Sequence, residues 1–211
     1  MLDVNTLNNR CLTIAYKILK SIDLDNVNYE HSLRVAISMY EIIEYMKKLG
    51  VNVNMIFCAE EDAVLMGSLL HDIGKSCVPI NILDKPNKLT FKEFEIIKTH
   101  SKLGKSLFNL CKNEYNLSDN YFDVISNMIY LHHEYFNGSG YPLGLRGLEI
   151  PSYVRFLVIL DVYDALTSVR PYKKAFTHKE AWNIICKDVG IKYDPVILGF
   201  LHFYFINKNQ K

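Results

Sequence analysis

The run His132-His133-Glu134-Tyr135-Phe136-Asn137-Gly138-Ser139-Gly140-Tyr141-Pro142 constrains this chain more than any other stretch. Two adjacent imidazoles, a carboxylate and a glycine-rich turn closed by Tyr-Pro make a poor core helix and a poor strand. They suit a metal site. Neutral imidazole is the commonest protein ligand for transition ions, and a Gly-x-Gly turn lets backbone amides approach an anion closely. The pair of histidines needs further ligands, which the fold must bring from elsewhere in the sequence.

Helical spacing supplies the carriers. Leu7 to Leu19 reads as a short leading helix, and the polar residues Asp25 to Asn28 open a longer one that runs to Gly50, with His31 in its first turns. From Glu60 an apolar helix runs into His71-Asp72 and is stopped by Gly74. Thr90 to Glu93 fits a capping box, in which hydroxyl and carboxylate satisfy opposite orphan amides, and the helix it opens carries Ile96, Ile97 and His100. Asp119 to His133 turns His132 inward with Ile125, Met128 and Ile129. Pro151 suits the first turn of a helix that sets Asp161 on an otherwise apolar stripe. Thr177 to Glu180 repeats the capping box, and Asp194-Pro195 opens a last helix whose aromatics Phe200, Phe203, Tyr204 and Phe205 are expected in the core rather than on a dimer surface. The expected fold class is all-α: about seven helices with one long functional loop, in which Gly138 to Ile150 has room for a small turn or hairpin.

With 211 residues, 49% of them hydrophobic, the chain suits one sizeable core. A net charge of +1 gives no electrostatic footprint for DNA, RNA or a membrane surface. Cys11, Cys58, Cys77, Cys111 and Cys186 are widely spaced, show no zinc-ribbon pattern and read as reduced, mostly packed thiols. No signal-peptide run or membrane-length apolar stretch is present, so the expected compartment is the cytoplasm.

The helical pattern directs His31, His71, Asp72, His100, His132, His133 and Asp161 toward the core. Any one of them alone reads as a hydrogen-bonded core residue. Seven together are costly to bury without a metal.

His71-Asp72-Ile73-Gly74-Lys75 resembles the signature of the HD phosphohydrolase superfamily, and the His132–Pro142 run resembles the loop of its HD-GYP branch, the cyclic dinucleotide phosphodiesterases. His31-Ser32-Leu33-Arg34-Val35, Ile96 to His100, Ile150-Pro151, Asp161 to Leu166 and Arg170-Pro171-Tyr172-Lys173 extend the resemblance in the family's order. It implies an HD-domain bundle with a long GYP loop over residues 25–211, after a short helical segment at 1–24. It further implies two transition-metal ions, iron favoured and manganese second. His31, His71, Asp72 and Asp161 would hold one, and Asp72 would bridge to another on His100, His132 and His133. A hydroxide shared by the metals would attack cyclic di-GMP, giving pGpG and, on further cleavage, GMP.

By the same resemblance Lys75 would contact phosphate or protonate the leaving oxygen, and Arg170 and Lys173 would grip substrate phosphates. Tyr141 would line the pocket, Asp164 would orient a ligand or assist proton transfer, and Glu134 and Arg34 would support the ligands. Val27 stands where some members place a glutamate for a third metal, so two metals are expected. Asn137 replaces a frequent Asp and Tyr135 a frequent Arg, while Cys77 is either oxidation-sensitive or packed, the packed thiol being expected. Two alternatives stay open: an HD phosphohydrolase acting on another cyclic dinucleotide or nucleotide, and a metal-holding sensor with little turnover. A di-iron oxygenase on the same scaffold is a weaker third, against which Lys75 and the phosphate-gripping residues argue. A homodimer or a separate regulatory protein are the partners left open beside the cyclic dinucleotide.

Overall fold

The computed structural model describes residues 10–21, 26–115, 117–169 and 174–208. Among these residues it has ten α-helices and no extended sheet: α1 Arg10–Ser21, α2 Asn26–Lys48, α3 Val53–Phe57, α4 Glu61–Leu70, α5 Ile80–Leu83, α6 Phe91–Tyr115, α7 Asp119–Leu131, α8 Ser152–Thr167, α9 His178–Ile185 and α10 Pro195–Lys208. The all-α expectation holds. The count exceeds the expected seven or so partly through α3 and α5, which are too short for a 3.6-residue period to register. In the stretch 138–150 the chain forms no hairpin; a single bridge joins Asn137 to Arg146, followed by the 3₁₀ turn Gly147–Glu149.

The caps behave as the sequence indicates. Glu93 N–H donates to Thr90 Oγ1 while Thr90 N–H donates to the Glu93 carboxylate, and Thr177 with Glu180 repeats the arrangement. Asp194 Oδ1 accepts from Val196 and Ile197 at the start of α10. Pro151 lies one residue earlier than expected, at the N-cap of α8.

Helix α4 is the hub. Every residue from Ala63 to Leu70 is buried, which is how a helix apolar on all sides must be accommodated, and α1, α2 and α7 pack around it. The leading helix therefore shares the core, burying Ala15, Ile18 and Leu19. Because α4 ends at His71, its last turn delivers polar groups into the centre of the molecule.

The 3₁₀ turn Ile73–Cys77 then runs against α6. A Cβ on Gly74 would come 1.9 Å from the His100 carbonyl oxygen and 2.5 Å from Gly104 N, so only glycine lets this turn approach α6 closely enough to bring Asp72 beside His100.

At the far end, Tyr204 and Phe205 are buried and Phe200 is half-buried against the core, as expected, whereas Phe203 is 56% exposed. The cysteine expectation fails where it can be checked: Cys58, Cys77 and Cys186 are exposed, because each lies in or beside a turn at an element's end rather than on an apolar face. The side chains of Cys11 and Cys111 lie outside the described residues. Among the described residues no helix is long and apolar enough to cross a membrane.

Candidate metal centre

Five elements converge on one point. His31 comes from α2, His71 and Asp72 from the end of α4, His100 from α6, His132 and His133 from the end of α7, and Asp161 from α8. His31, His71, Asp72, His100 and His132 are buried, and His133 and Asp161 are half-buried.

Three of the imidazoles are aimed by one device. The Nδ1–H of His71 donates to the carbonyl of Ser68 at 2.8 Å, that of His100 to Ile97 at 2.6 Å and that of His132 to Ile129 at 2.9 Å. Each acceptor is three residues back on the same helix. The tautomer this selects leaves Nε2 without a proton, its lone pair facing inward, as ligation requires. His31 is held differently: its Nδ1 donates to Asp164 Oδ2 at 2.6 Å, and Arg34 donates to the same carboxylate from Nε at 2.7 Å and Nη2 at 3.1 Å.

Asp72 lies between two sets of donors. Its Oδ2 is 3.7 Å from His31 Nε2 and 3.4 Å from His71 Nε2, while Oδ1 is 3.4 Å from His100 Nε2 and 3.6 Å from His132 Nε2. Asp161 Oδ1 joins the first set at 2.9 Å from His31 Nε2 and 3.8 Å from His71 Nε2. In the second set, His100 Nε2 lies 3.1 Å from His132 Nε2 and 3.2 Å from His133 Nε2. Ring-nitrogen lone pairs this close repel unless a proton or a cation lies between them. Buried His71 Nε2 has no hydrogen-bond partner, which is also a cost unless a ligand takes it. His31, His71 and Asp72 form one group that could hold a metal ion, and His100, His132 and His133 form another. The donor set and its orphaned nitrogen therefore fit a pair of metals.

The local charges agree. Burial alone would protonate Asp72, but Lys75 and His71 beside it hold its carboxyl well below the usual range. Asp161 is likewise held low against burial, chiefly by His31. Burial, helped by the neighbouring His132, lowers His100 to about 4, and burial with His132 and His100 drives His133 well down. His31 goes the other way. Burial lowers it, yet the hydrogen bonds to Asp161 and Asp164 outweigh that and raise it to about 9.

Around this centre, Lys75 Nζ donates to Asp72 Oδ2 at 2.5 Å. Tyr141 stacks on His133 with ring centroids 4.7 Å apart. Asp164 faces His31 and Arg34. Glu134 touches no metal-site residue in these hydrogen bonds; buried, it accepts from Leu143 N at 2.6 Å, Gly144 N at 3.2 Å and Leu145 N at 3.0 Å, and so folds the loop back on itself. Asn137 accepts from Ser139 N at 2.9 Å, and Tyr135 lies under Lys192 Nζ. Exposed Cys77 is not the packed thiol expected. Glu30 is exposed and faces Arg34, while the side chain of Val27 and all of Arg170 and Lys173 lie outside the described residues. Sequence reasoning missed Lys98, whose ammonium stands 5.4 Å from the Tyr141 ring centroid; its place one half-turn before His100 on α6 was the available signal.

An HD domain family model matches residues 15–197. The chain belongs to the HD-domain family. It is 40% identical over 137 residues, 65% of its length, to a probable cyclic di-GMP phosphodiesterase of Vibrio cholerae, covering 31% of that protein. It is 33% identical over 181 residues, 85% of its length, to a 3′3′-cGAMP-specific phosphodiesterase of the same organism, covering 38% of it. A solved structure of an HDG"Y"P protein from Bdellovibrio bacteriovorus matches with a TM-score of 0.62 at 19% identity, covering 96% of this chain and 60% of that one, so the HD fold is shared. The chain thus spans about a third of the length of these curated relatives.

Proposed function

We propose that the chain is a metal-dependent phosphodiesterase that opens cyclic di-GMP to linear pGpG, with GMP as product where the second diester is also cut. One observation carries the reading: Asp72 presents one carboxylate oxygen to each of two buried nitrogen-rich groups, with Lys75 on the same carboxylate. His31, His71, Asp72 and Asp161 would hold one ion, and Asp72, His100, His132 and His133 the other, iron being preferred to manganese. Mixed imidazole and carboxylate donors suit those metals. When bound, such a pair acidifies a water for in-line attack and sets positive charge against the diester.

The chain's own groups do the rest. Lys75, an ammonium 2.5 Å from Asp72, carries a proton that it can offer to the departing oxygen, and its charge opposes that developing on phosphorus-bound oxygens. Tyr141, stacked on His133, walls the site where the sugar or base must lie. Arg170 and Lys173 are assigned the remaining phosphate oxygens, which a planar guanidinium takes two at a time. Residues 25–211 would form the catalytic unit.

The test is anaerobic purification with metal quantification, followed by incubation with cyclic di-GMP and chromatography. About two metals per chain with formation of pGpG is the expected result. Metal without turnover of any cyclic dinucleotide would make the protein a binder. A second reading is favoured by the 3′3′-cGAMP-specific relative, which shares 33% identity over 85% of this chain. Running 3′3′-cGAMP beside cyclic di-GMP separates the two.

A further inference from the structure

The mouth of the site carries an ion pair that the metal chemistry leaves unused. On α6, Phe94, Glu95 and Lys98 precede His100, and Lys98 reaches across to the GYP loop. Its ammonium stands 5.4 Å from the Tyr141 ring centroid and 5.6 Å from that of Phe94, and pairs with Glu95 at 2.7 Å. Tyr141 itself stacks on His133. A held pair of opposite charges therefore lies one aromatic ring away from a metal-group histidine. Phe94 is 45% exposed and the Glu95 side chain 45% exposed, so the pair and its neighbouring ring are open to a ligand, while Lys98 is half-buried and fixed by two rings.

We propose that Glu95 and Lys98 read the guanine edge of the base next to the scissile diester, with Phe94 offering its ring for stacking. The inference rests on the cyclic dinucleotide reading above. Along one edge guanine presents an acceptor, O6, followed by two donors, N1–H and the N2 amino group. Lys98 has donors only and Glu95 has acceptors only, so the pair matches that order. Adenine on the same edge presents a donor where Lys98 stands and an acceptor where Glu95 stands. With the phosphate fixed at the metals the base cannot reverse its direction, so adenine leaves both side chains facing like groups. Polar groups matched to one base edge disfavour the base that lacks it, most strongly at half-buried Lys98, and exposed aromatic faces add sequence-tolerant stacking.

The experiment compares kcat/KM for cyclic di-GMP, 3′3′-cGAMP and cyclic di-AMP in the wild type, Glu95→Gln and Lys98→Ala, with metal content and melting temperature measured on each preparation. Glu95→Gln keeps the size but leaves one acceptor oxygen for guanine N1–H and N2–H in place of two, and supplies a donor that suits adenine N1. The expected result is a fall of about tenfold or more in the ratio of cyclic di-GMP to cyclic di-AMP turnover, with metal content retained. Equal losses on all three substrates, or an unchanged ratio, would overturn the proposal. If the wild type cleaves no cyclic dinucleotide, the phosphodiesterase reading itself has failed. The edge reading is then decided by binding of GMP against AMP: a guanine preference that Glu95→Gln removes supports it, and the lack of any preference rejects it.

Discussion

His31 and His100 are both buried imidazoles aimed at Asp72, yet His31 keeps its proton to about pH 9 and His100 sheds its own above about pH 4. Burial pulls both downward. The difference lies in what holds the distal nitrogen. His100 leans on a neutral backbone carbonyl and stands beside two other imidazoles, so Asp72 alone among charged neighbours favours its proton and does not outweigh burial. His31 lies between two carboxylates, Asp164 on Nδ1 and Asp161 on Nε2, which together outweigh burial. His100 and His133 are thus held neutral before a cation arrives, whereas His31 must give up a proton to receive one. Asp72 belongs to both halves of the centre.

That asymmetry can be broken at three depths. Asp72→Asn strikes both halves, since each loses a charged oxygen. Metal content should collapse and cyclic di-GMP turnover fall by roughly a thousandfold, as several kcal/mol of metal-borne stabilisation disappears. Retention of both metals would refute the shared role. Asp164→Asn strikes only the His31 half, because it removes the charged anchor of one imidazole and leaves the carbonyl-held three untouched. Metal affinity should drop about 10- to 100-fold at one site of the two, seen as a biphasic titration. A uniform loss at both sites would show that the halves are not independent.

Acidity sharpens the comparison without a mutation. In chelator-stripped protein, His31 carries a proton below about pH 9, and metal must displace it. Affinity at that half should therefore rise by about tenfold per pH unit as pH climbs toward 9 and level off above. His100, lowered to about 4, and His133, driven well down by burial, are already neutral between pH 6.5 and 9, so neither adds such a climb to its half. For the stripped fold the signs are opposite. The stability His31 contributes is fully present below pH 6.5 and is lost as pH rises through about 9, whereas His100 costs stability as pH falls from 6.5 toward 4. Metal titrations by competition at pH 6, 7, 8 and 9 give the first pair of slopes, and parallel slopes for the two sites would remove the distinction.

Much of this centre was legible before any coordinates. Residues such as His132 and Asp161 stand out because helical period places them on apolar faces, where a polar group needs a reason. The long helices followed from the same period and from cap chemistry at Thr90, Thr177 and Asp194. What stayed hidden depends on backbone atoms or on long-range approach. The carbonyls of Ser68, Ile97 and Ile129 choose the tautomers, yet carry no side-chain signature. The Gly74 contact that seats Asp72 beside His100 looks in sequence like an ordinary helix stop. Glu134 follows two histidines and so invites a ligand-supporting role, whereas its carboxylate closes the loop through three amides. Exposed Cys77 shows the converse error, a residue type usually buried but stationed at a turn.

The smallest expected effect tests whether the charged anchor of His31 extends one residue further. Arg34 grips Asp164 with two nitrogens, while its own side chain is 42% exposed, so water screens part of its charge. Arg34→Lys keeps the charge but loses the fork, since an ammonium cannot reproduce two parallel donors to one carboxylate. Asp164 would still accept from His31 Nδ1, though with more freedom to swing. The expected outcome is a loss of roughly threefold in metal affinity at the His31 half, smaller than the range for removing a direct anchor, with the other site unmoved. Because a less fixed Asp164 would hold the His31 proton less firmly, the pH at which that half's affinity levels off should also shift downward. An unchanged plateau would confine the anchor to Asp164 alone, and a change at the carbonyl-held half would mean that Arg34 acts through packing of α2 rather than through His31.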